Sequence, residues 1–397
     1  MPRRDIQESA NGRAGSAAAG PSLQIVAREW TRIGITGFGG PPAHIALLRA
    51  LVVDRMGWMG AREFQDANAA CGLLPGPAST QLSIFCAYRV AGPAGAIVGG
   101  LGFIMPAVVL ILALSTLFLA GSPPVWVRGA GAGAGAAVAA VAAQAARGLI
   151  GPSLSSVRGD AQRTARWALY LVTGGAAAAL LGGYLVLALV ICGAIEVLAA
   201  RRPGLLGSLA AAAPGSLSLG GVGALAWTAF KVGALSFGGG FVIIPLMQGD
   251  AVHTYHWMTA GQFLNAVALG QVTPGPVVAT VAAVGYAAHG LGGGLLAALI
   301  AFAPSFSFIL IAGRRFERLR GNRDARAFLD GAGPAAIGAI LGAAILLAGA
   351  LQETWQFVLL TVAAVALLAL RRGIVQTLIA CAAVGAIAAL AGASLPS

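Results

Sequence analysis

Long apolar runs, separated by short segments rich in glycine or arginine, occupy most of the chain. Runs such as 96–120, 297–313 and 357–370 contain no charged side chain. A helix needs about 20 apolar residues to cross roughly 30 Å of hydrocarbon, and these runs have the composition of such helices. The pattern therefore predicts an all-α, polytopic membrane protein with about 10–12 membrane segments.

The apolar pattern occurs twice along the chain. The tripeptide Pro-Gly-Pro begins at Pro75 and again at Pro274, and 274 − 75 = 199. The same offset relates further landmarks: GITGFGG (34–40) with GALSFGG (233–239), Arg32 with Lys231, Trp58 with Trp257, Phe64 with Phe263, and Phe103 with Phe302. Constant spacing of rare residue types predicts two homologous repeats. We divide the chain into a disordered cytoplasmic tail (1–23), a first repeat (24–200), a linker (201–221) and a second repeat (222–397).

Pro-Gly-Pro should break a membrane helix rather than bend it. Proline has no amide hydrogen and obstructs the preceding turn, and the residue before proline avoids the helical region. Loosened backbone groups are costly in hydrocarbon, so broken or re-entrant helices belong where protein or water lines a cavity. A restarted helix also presents N–H groups with a partial positive charge, which suits an anion. A break repeated in both halves is typical of a transporter substrate site, with a simple packing kink as the alternative.

The two breaks differ in polarity. Ser79, Thr80 and Gln81 follow the first Pro-Gly-Pro, whereas mainly apolar residues follow the second. The first copy should therefore bind an anion better. Polar Gln271 and Thr273 precede the second copy. Glycine-rich segments earlier in each repeat form a second pair of breaks, which could equally serve close helix packing.

Few charged residues lie within apolar sequence, and these are candidates for attracting the anion or carrying protons. Arg32 and Lys231 stand at equivalent positions just before the glycine-rich breaks. A charge near membrane depth usually faces a cavity or a partner, although both residues could instead snorkel to the interface. The candidate proton carriers, each with an interfacial, ion-pairing or local hydrogen-bonding role as its alternative, are His44, Asp66, Glu196 and Asp250.

The distribution of arginine predicts the topology. The loop 314–326 holds six arginines, which marks the cytoplasmic side, whereas the corresponding loop 121–128 is nearly uncharged. Opposite charge at equivalent loops predicts inverted repeats, with parallel repeats as the alternative. Counting every segment as one crossing would place Arg201 and Arg314 on opposite sides. At least one broken segment between them should therefore not span simply.

Composition narrows the class of protein. Hydrophobic residues make up 58% of the chain and charged residues 10%, which leaves too little polar surface for a soluble globule. The net charge of +12 comes from arginines in short loops, which indicates membrane topology and not a nucleic-acid partner. No G-x-S-x-G, H-E-x-x-H or Walker A motif is present, so an enzyme is not expected. No metal or other cofactor is expected either, because the cysteines stand singly, as Cys71, Cys86, Cys192 and Cys381.

Four motifs, in the same order, resemble the chromate transporter family in its long, two-domain form: GFGGPPAHIALLR (37–49), LLPGPASTQLSIFCAYR (73–89), SFGGGFVIIPLMQ (236–248) and GQVTPGPVVATVAAVGY (270–286). The resemblance covers nearly the whole chain beyond the tail. It implies a multi-pass protein of the inner (cytoplasmic) membrane that exports chromate, a sulfate-like oxyanion, with proton coupling, and so confers chromate resistance.

The family pattern, together with the two paired basic residues, supplies the candidate substrate-binding residues. They are Arg32, Gly39, Gly40, Pro75, Gly76, Pro77, Ser79, Thr80 and Gln81 in the first repeat, and Lys231, Gly238, Gly239, Gly240, Gln271, Thr273, Pro274, Gly275 and Pro276 in the second. The expected mechanism is alternating access at the midplane, by rocking of one repeat against the other and driven by protons or the membrane potential. A carrier of sulfate or a related oxyanion and an anion channel are the alternatives. The expected partners are the oxyanion and the bilayer, and a homodimer is possible.

Overall fold

The computed structural model describes residues 21–119, 123–181, 185–201, 220–236, 241–312 and 323–396, and throughout these ranges the regular secondary structure is helical. Most of the tail (1–23) and of the linker (201–221) lies outside the described residues, as do the candidates Gly238, Gly239 and Gly240.

Within the described ranges, fourteen helices are labelled in chain order, and the two repeats carry them in the same order. In the first repeat they are α1 (Leu23–Thr36), α2 (Pro41–Arg49, continued by a π-helical turn at Ala50–Arg55), α3 (Ala61–Cys71), α4 (Ala78–Phe118), α5 (Val125–Ser155), α6 (Ala161–Leu180) and α7 (Leu185–Arg201). In the second they are α8 (Gly221–Ala234), α9 (Ile243–Gln248, continued by a π-helical turn at Gly249–Thr254), α10 (Ala260–Val272), α11 (Val281–Ala312, preceded by a 3₁₀ turn at Val277–Thr280), α12 (Arg323–Gly349), α13 (Thr354–Ala364, continued by a π-helical turn at Val365–Ala369) and α14 (Ile374–Leu390).

Among the described residues, four segments are long and apolar enough to cross a membrane by length and composition. They are Ala78–Phe118, Val125–Ser155, Val277–Ile311 and Arg323–Gly349. The prediction of a helical, polytopic protein is therefore confirmed.

The first repeat begins with a helical hairpin at its glycine-rich break. Trp30 of α1 stacks on Trp58, which follows α2, with ring centroids 6.3 Å apart. Arg55 at the end of α2 pairs with Glu29 of α1. Because residues early in α1 meet residues beyond the end of α2, the two helices run antiparallel, and the Gly37–Gly40 segment forms the tip between them.

A second hairpin in each repeat carries Pro-Gly-Pro at its tip. Arg89 Nε donates to Glu63 Oε1 at 2.7 Å, so the start of α3 lies beside a residue well into α4. In the second repeat, a Cβ atom added to Gly270 would lie 1.8 Å from Thr280 Oγ1. These contacts fold α3 against α4, and α10 against the start of α11, so each tripeptide is a reversal of the chain and not a kink.

The long helices α4 and α11 are each broken at a glycine, and the part after the break folds back against the part before it. Gly92 has φ +65° and Gly290 has φ +62°, and the helix is broken at both residues. A Cβ atom on Gly95 would lie 2.5 Å from the carbonyl oxygen of Ala87. In a straight helix these residues would stand about 12 Å apart, since each residue rises about 1.5 Å. The run 78–118 therefore consists of a short arm and a long helix that starts after Gly92.

The repeat offset changes by one residue after Pro-Gly-Pro. The breaks at Gly92 and Gly290 give 290 − 92 = 198. Gly95 contacts the carbonyl of Ala87, and Gly293 contacts that of Gly285, so 293 − 95 and 285 − 87 both give 198. The pairing of Phe103 with Phe302 is therefore wrong by one position. The 3₁₀ turn before α11 explains the difference, because a 3₁₀ helix rises about 2.0 Å per residue against 1.5 Å, so one residue fewer covers the same distance.

The outer helices of the two repeats are exchanged. α5 of the first repeat packs on α13 and α14 of the second, while α12 of the second packs on α6 and α7 of the first. Glycine makes these contacts close: a Cβ atom on Gly133 would lie 2.2 Å from Cys381 O, and one on Gly338 would lie 1.8 Å from Leu171 O. Small residues of this kind are how helices associate in lipid, where burying apolar side chains gives little advantage.

The two ends of the helix bundle differ in charge. At the end of α5, ion pairs join neighbouring helices through Arg163 and Asp330, Arg166 and Glu196, and Arg201 and Asp324. The start of α5 lies at the other end, where Arg128 shares a cavity with Thr259 and Gln262. Glu196 thus has the ion-pairing role given above as its alternative.

We expect Gly338→Ala to destabilise the protein and Gly333→Ala, on the same helix, to leave it unchanged or stabilise it. Alanine at 338 must displace the Leu171 backbone, which typically costs about 1–3 kcal/mol. The Cβ position of Gly333 is open within 4 Å, and alanine favours a helix by up to about 1 kcal/mol. Thermal unfolding in detergent measures both, and equal melting temperatures would contradict the exchanged packing.

Candidate functional site

A chain of polar contacts links the tips of the two Pro-Gly-Pro hairpins. The backbone N–H of Gly275 donates to the carbonyl oxygen of Gly37 at 3.0 Å. His44 Nε2 lies 2.9 Å from the same oxygen, and His44 Nδ1 lies 3.4 Å from Ser79 Oγ. Since Ser79 belongs to the first hairpin and Gly275 to the second, the two breaks converge on one region, with His44 between them.

Each hairpin tip packs against the opposite repeat. A Cβ atom on Gly76 would lie 3.1 Å from Gly233 O, and one on Gly275 would lie 3.6 Å from Gly34 O. These contacts are equivalent, because 76 + 199 = 275 and 34 + 199 = 233. Gly76 and Gly275 have φ +116° and +99°, a region that only glycine adopts readily. The flanking prolines Pro75, Pro77, Pro274 and Pro276 hold these tips as non-helical chain.

The region around the first tip is polar, as the sequence predicts. Thr80, Gln81 and Ser305 are each fully buried. Among the described residues, Thr80 Oγ1, Gln81 Oε1 and Ser305 Oγ have no hydrogen-bond partner. Gln81 Nε2 donates to Pro75 O at 2.7 Å, which orients the amide. A buried polar atom without a partner costs about 1–3 kcal/mol, so these groups suit a bound polar ligand or water.

Ser305 was missed by sequence reasoning. It belongs to the second repeat, yet Ser305 Oγ lies 3.5 Å from the Cβ position of Gly76 at the first tip. Its equivalent is Ala107, since 305 − 198 = 107, and Ala107 faces Gly275 in the same way. The only sequence signal was the presence of two serines, Ser305 and Ser307, within the apolar run 297–313.

The second tip offers fewer polar groups. Gln271 and Thr273 are buried just before it, and Gln271 Nε2 has no hydrogen-bond partner among the described residues. Thr280 Oγ1 donates to the carbonyl of Val277. Buried Ser236, at the end of the described part of the second glycine-rich break, also leaves its hydroxyl without a partner there.

The tautomer of buried His44 follows from its contacts. A carbonyl oxygen only accepts hydrogen bonds, so Nε2 must carry the hydrogen that faces Gly37. Nδ1 of the neutral ring is then an acceptor for the Ser79 hydroxyl. The ring edge packs on Phe103, with centroids 5.0 Å apart and an interplanar angle of 88°, which fixes its orientation.

The charged candidates are placed very differently. Lys231 Nζ lies 2.6 Å from Asp250 Oδ2, and both side chains are buried. Thr228 Oγ1 donates to the same carboxylate oxygen at 2.7 Å. Asp250 therefore offsets the charge of Lys231, whereas Arg32, its equivalent, is exposed. Asp66 lies half-buried on α3.

The remaining candidates shape the backbone. Gly39 and Gly40 have φ +102° and +71° at the tip of the first glycine-rich hairpin, and Gly40 immediately precedes α2. Across the described ranges, no group of three histidine, cysteine or acidic residues is arranged to hold a metal ion.

We expect Asp250→Asn and Lys231→Met each to lower stability by roughly 3–5 kcal/mol, because each leaves a buried charge without its partner. The double variant Lys231→Met/Asp250→Asn should lose less than either single variant, since it leaves no unpaired charge. Thermal unfolding of the four proteins forms a double-mutant cycle. Additive losses would mean that the two groups do not interact.

Comparison with known proteins places the chain in a family. The chromate transporter family model matches residues 25–198 and again 223–397, which confirms two repeats. The chain is 31% identical to the chromate transport protein of Cupriavidus metallidurans over 351 residues, or 84% of this chain and 85% of that one. It is 32% identical to the chromate transport protein of Pseudomonas aeruginosa over 348 residues, or 83% and 82% of the two chains.

A probable chromate transport protein of Synechococcus elongatus is 28% identical over 346 residues, which cover 82% of this chain and 84% of that protein. No solved structure matches the chain. Long apolar helices together with these matches make it a multi-pass membrane protein. Two family matches that together span nearly the whole sequence show that the chain belongs to the chromate transporter family.

Proposed function

We propose that the protein exports chromate, or a closely related tetrahedral oxyanion, across the cytoplasmic membrane and thereby confers chromate resistance. The observation that carries this proposal is the meeting of two Pro-Gly-Pro tips at buried hydroxyl and amide groups. Ser79, Thr80 and Ser305 would donate to the oxygens of the dianion, together with backbone N–H groups at the restarted helix. Such broken helices at a repeat interface are characteristic of transporter substrate sites.

An inverted, re-entrant arrangement of the hairpins is part of the proposal. We call the end of a hairpin opposite its tip its base. In the second repeat, the base of the Pro-Gly-Pro hairpin lies near Arg128, and the base of the preceding hairpin lies near Leu181. The helix 93–118 also ends at the Arg128 cavity, through Phe118, and its 26 residues extend about 39 Å away from it. A helix of this length would place the base of the first repeat's Pro-Gly-Pro hairpin at the arginine-rich end of the bundle. The positive-inside rule assigns that end to the cytoplasm. The hairpins would then enter from opposite faces and meet at the midplane.

The moving parts differ from those expected from the sequence. Because α5 packs on α13 and α14 while α12 packs on α6 and α7, one repeat cannot rock as a body against the other. Access would instead alternate by movement of the hairpins against this exchanged set of outer helices. The glycine breaks at residues 37–40, 92 and 290 are natural hinge positions.

The membrane potential is a sufficient driving force for export. The cell interior is negative, so an anion is driven outward, and each charge contributes roughly 2.3 kcal/mol per 100 mV. A dianion therefore gains about 4.6 kcal/mol, or about three powers of ten in concentration ratio. A proton on His44 Nδ1 would reverse the hydrogen bond with Ser79 and free the serine hydrogen for the anion. Anion affinity should then rise as the pH falls.

We expect Thr80→Val to raise the KM for chromate about tenfold or more, because a lost hydrogen bond to a charged group costs roughly 1.5–3 kcal/mol. Uptake of labelled chromate into proteoliposomes, with potassium diffusion potentials and pH gradients imposed separately, is the assay. Thr361→Val is the matched control, since Thr361 is exposed on α13 and bonds only to its own helix. Absence of saturable chromate flux in the wild-type protein would refute the function. Stronger inhibition by sulfate than by unlabelled chromate would favour a sulfate carrier, and flux that does not saturate would favour a channel.

We expect His44→Gln to flatten the pH dependence of the chromate KM without abolishing transport. Glutamine keeps an N–H donor for the Gly37 carbonyl but cannot take up a proton. Measuring the chromate KM across a range of pH, with wild type as control, tests the assignment. An unchanged pH profile would remove His44 from proton coupling and leave Asp66 and Asp250 as the carriers.

A further inference from the structure

A cavity of about 300 Å³ lies at the opposite end of the bundle from the arginine-rich surface. The starts of α5 and α10 and the segment after α12 form its walls. Arg128, Gln262, Asn265 and Gln356 contribute polar side chains to it. Since one water molecule takes about 30 Å³ in the liquid, the cavity has room for a hydrated oxyanion.

The electrostatic character of this cavity suits an anion. Arg128 is the only charged residue among the described residues that line it. Gln262 Oε1 accepts the backbone N–H of Thr259 at 2.9 Å, so its NH₂ group remains as a donor. Gln356 is held in place, because its Nε2 donates to Ala132 O at 3.2 Å and its Oε1 accepts two backbone N–H groups. The wall is thus rigid and its accessible polar groups include donors.

The equivalent place in the first repeat carries the opposite chemistry. Subtracting the offset gives 262 − 199 = 63 and 265 − 199 = 66, which are Glu63 and Asp66. Gln262 therefore stands where the first repeat has Glu63, and Asn265 stands where it has Asp66. In each pair a neutral amide replaces a carboxylate of nearly the same shape. Glu63 also forms an ion pair with Arg89, which offsets the cation there. A dianion would be repelled at the hairpin base of the first repeat and accepted at the hairpin base of the second repeat.

Helix α10 runs from the cavity to the proposed substrate site, because its first residues line the cavity and Pro-Gly-Pro follows its last residue. Asn265 lies seven residues before the end of α10 at Val272, or about 10 Å of helix, and the Pro-Gly-Pro tip follows directly. A Cβ atom on Gly131 of α5 would lie 2.8 Å from Asn265 Nδ2, so glycine is required for the amide to fit beside α5. The Asn265 amide is therefore packed against α5 at the wall of the cavity.

We propose that this cavity is a second oxyanion site, an outer vestibule that receives a tetrahedral dianion such as chromate or sulfate between the hairpin tips and the non-cytoplasmic face. The proposal rests on the proposed function, which supplies the anion. Arg128 is its specificity-determining cation, and the Gln262 and Asn265 amides admit the anion because they replace carboxylates. The vestibule serves anion exchange at one face of the membrane only.

The test compares transport from the two faces in oriented vesicles. Arg128→Gln and Gln262→Glu should each raise the KM for chromate or sulfate about fivefold or more when the anion is offered at the non-cytoplasmic face, since one charge at a few ångströms has this effect on a dianion even in water. The KM from the cytoplasmic face and kcat should stay within about twofold. Arg128→Lys should retain the wild-type KM, and raised salt should reduce the difference between wild type and Arg128→Gln.

Arg372→Gln is the matched control. Arg372 is exposed, and Arg147 Nη1 binds Leu368 O at 2.7 Å, which places this loop at the far end of α5 from Arg128. A wild-type KM in both Arg128→Gln and Gln262→Glu, measured from both faces, would overturn the vestibule while leaving the proposed function intact. A KM raised equally from both faces would also overturn it, because the residues would then act at a shared central site. Lack of saturable flux in wild type would instead refute the proposed function.

Discussion

The hydrogen bond from the Gly275 N–H to the Gly37 carbonyl determines how the two halves of this transporter meet. It joins the Pro-Gly-Pro tip of one repeat to the glycine-rich break of the other, and both partners exist only because the helices are interrupted there. An intact helix would use this carbonyl and this N–H internally. The broken backbone is therefore what holds the centre of the protein together, and His44 binds to the same oxygen.

At this centre the backbone contacts of the two repeats are equivalent, but the polar side chains are not. Equivalent glycines place both tips against the opposite repeat, so the frame is shared. The polar groups are not shared: Ser305 faces the first tip where Ala107 faces the second, and Lys231 is buried with Asp250 where Arg32 is exposed. Under the proposed function, a symmetric frame with one polar half would hold a single anion closer to the first Pro-Gly-Pro tip than to the second.

The sequence predicted the repeats, the helical membrane class and the polarity of the first break, because proline, glycine and rare aromatic residues leave a periodic record. It did not predict that α4 and α11 fold back, because Gly92 and Gly290 look like any glycine in a run already rich in that residue. The one-residue change of offset was also hidden, since a 3₁₀ turn and an α turn have the same composition. Ser305 and the pairing of Lys231 with Asp250 depend on tertiary contacts between distant segments, which spacing alone cannot give.

The exchange of outer helices has a consequence for how the chain is made. α5 leaves the ribosome early, yet the helices on which it packs, α13 and α14, lie about 200 residues later in the sequence. The first repeat can thus insert into the bilayer but cannot reach its final packing until nearly the whole chain has been synthesised. During that interval the glycine face of α5 has only lipid or the insertion machinery beside it. Because small residues are what let helices associate in lipid, this face is then open to contact with any other helix that carries a matching face of small residues.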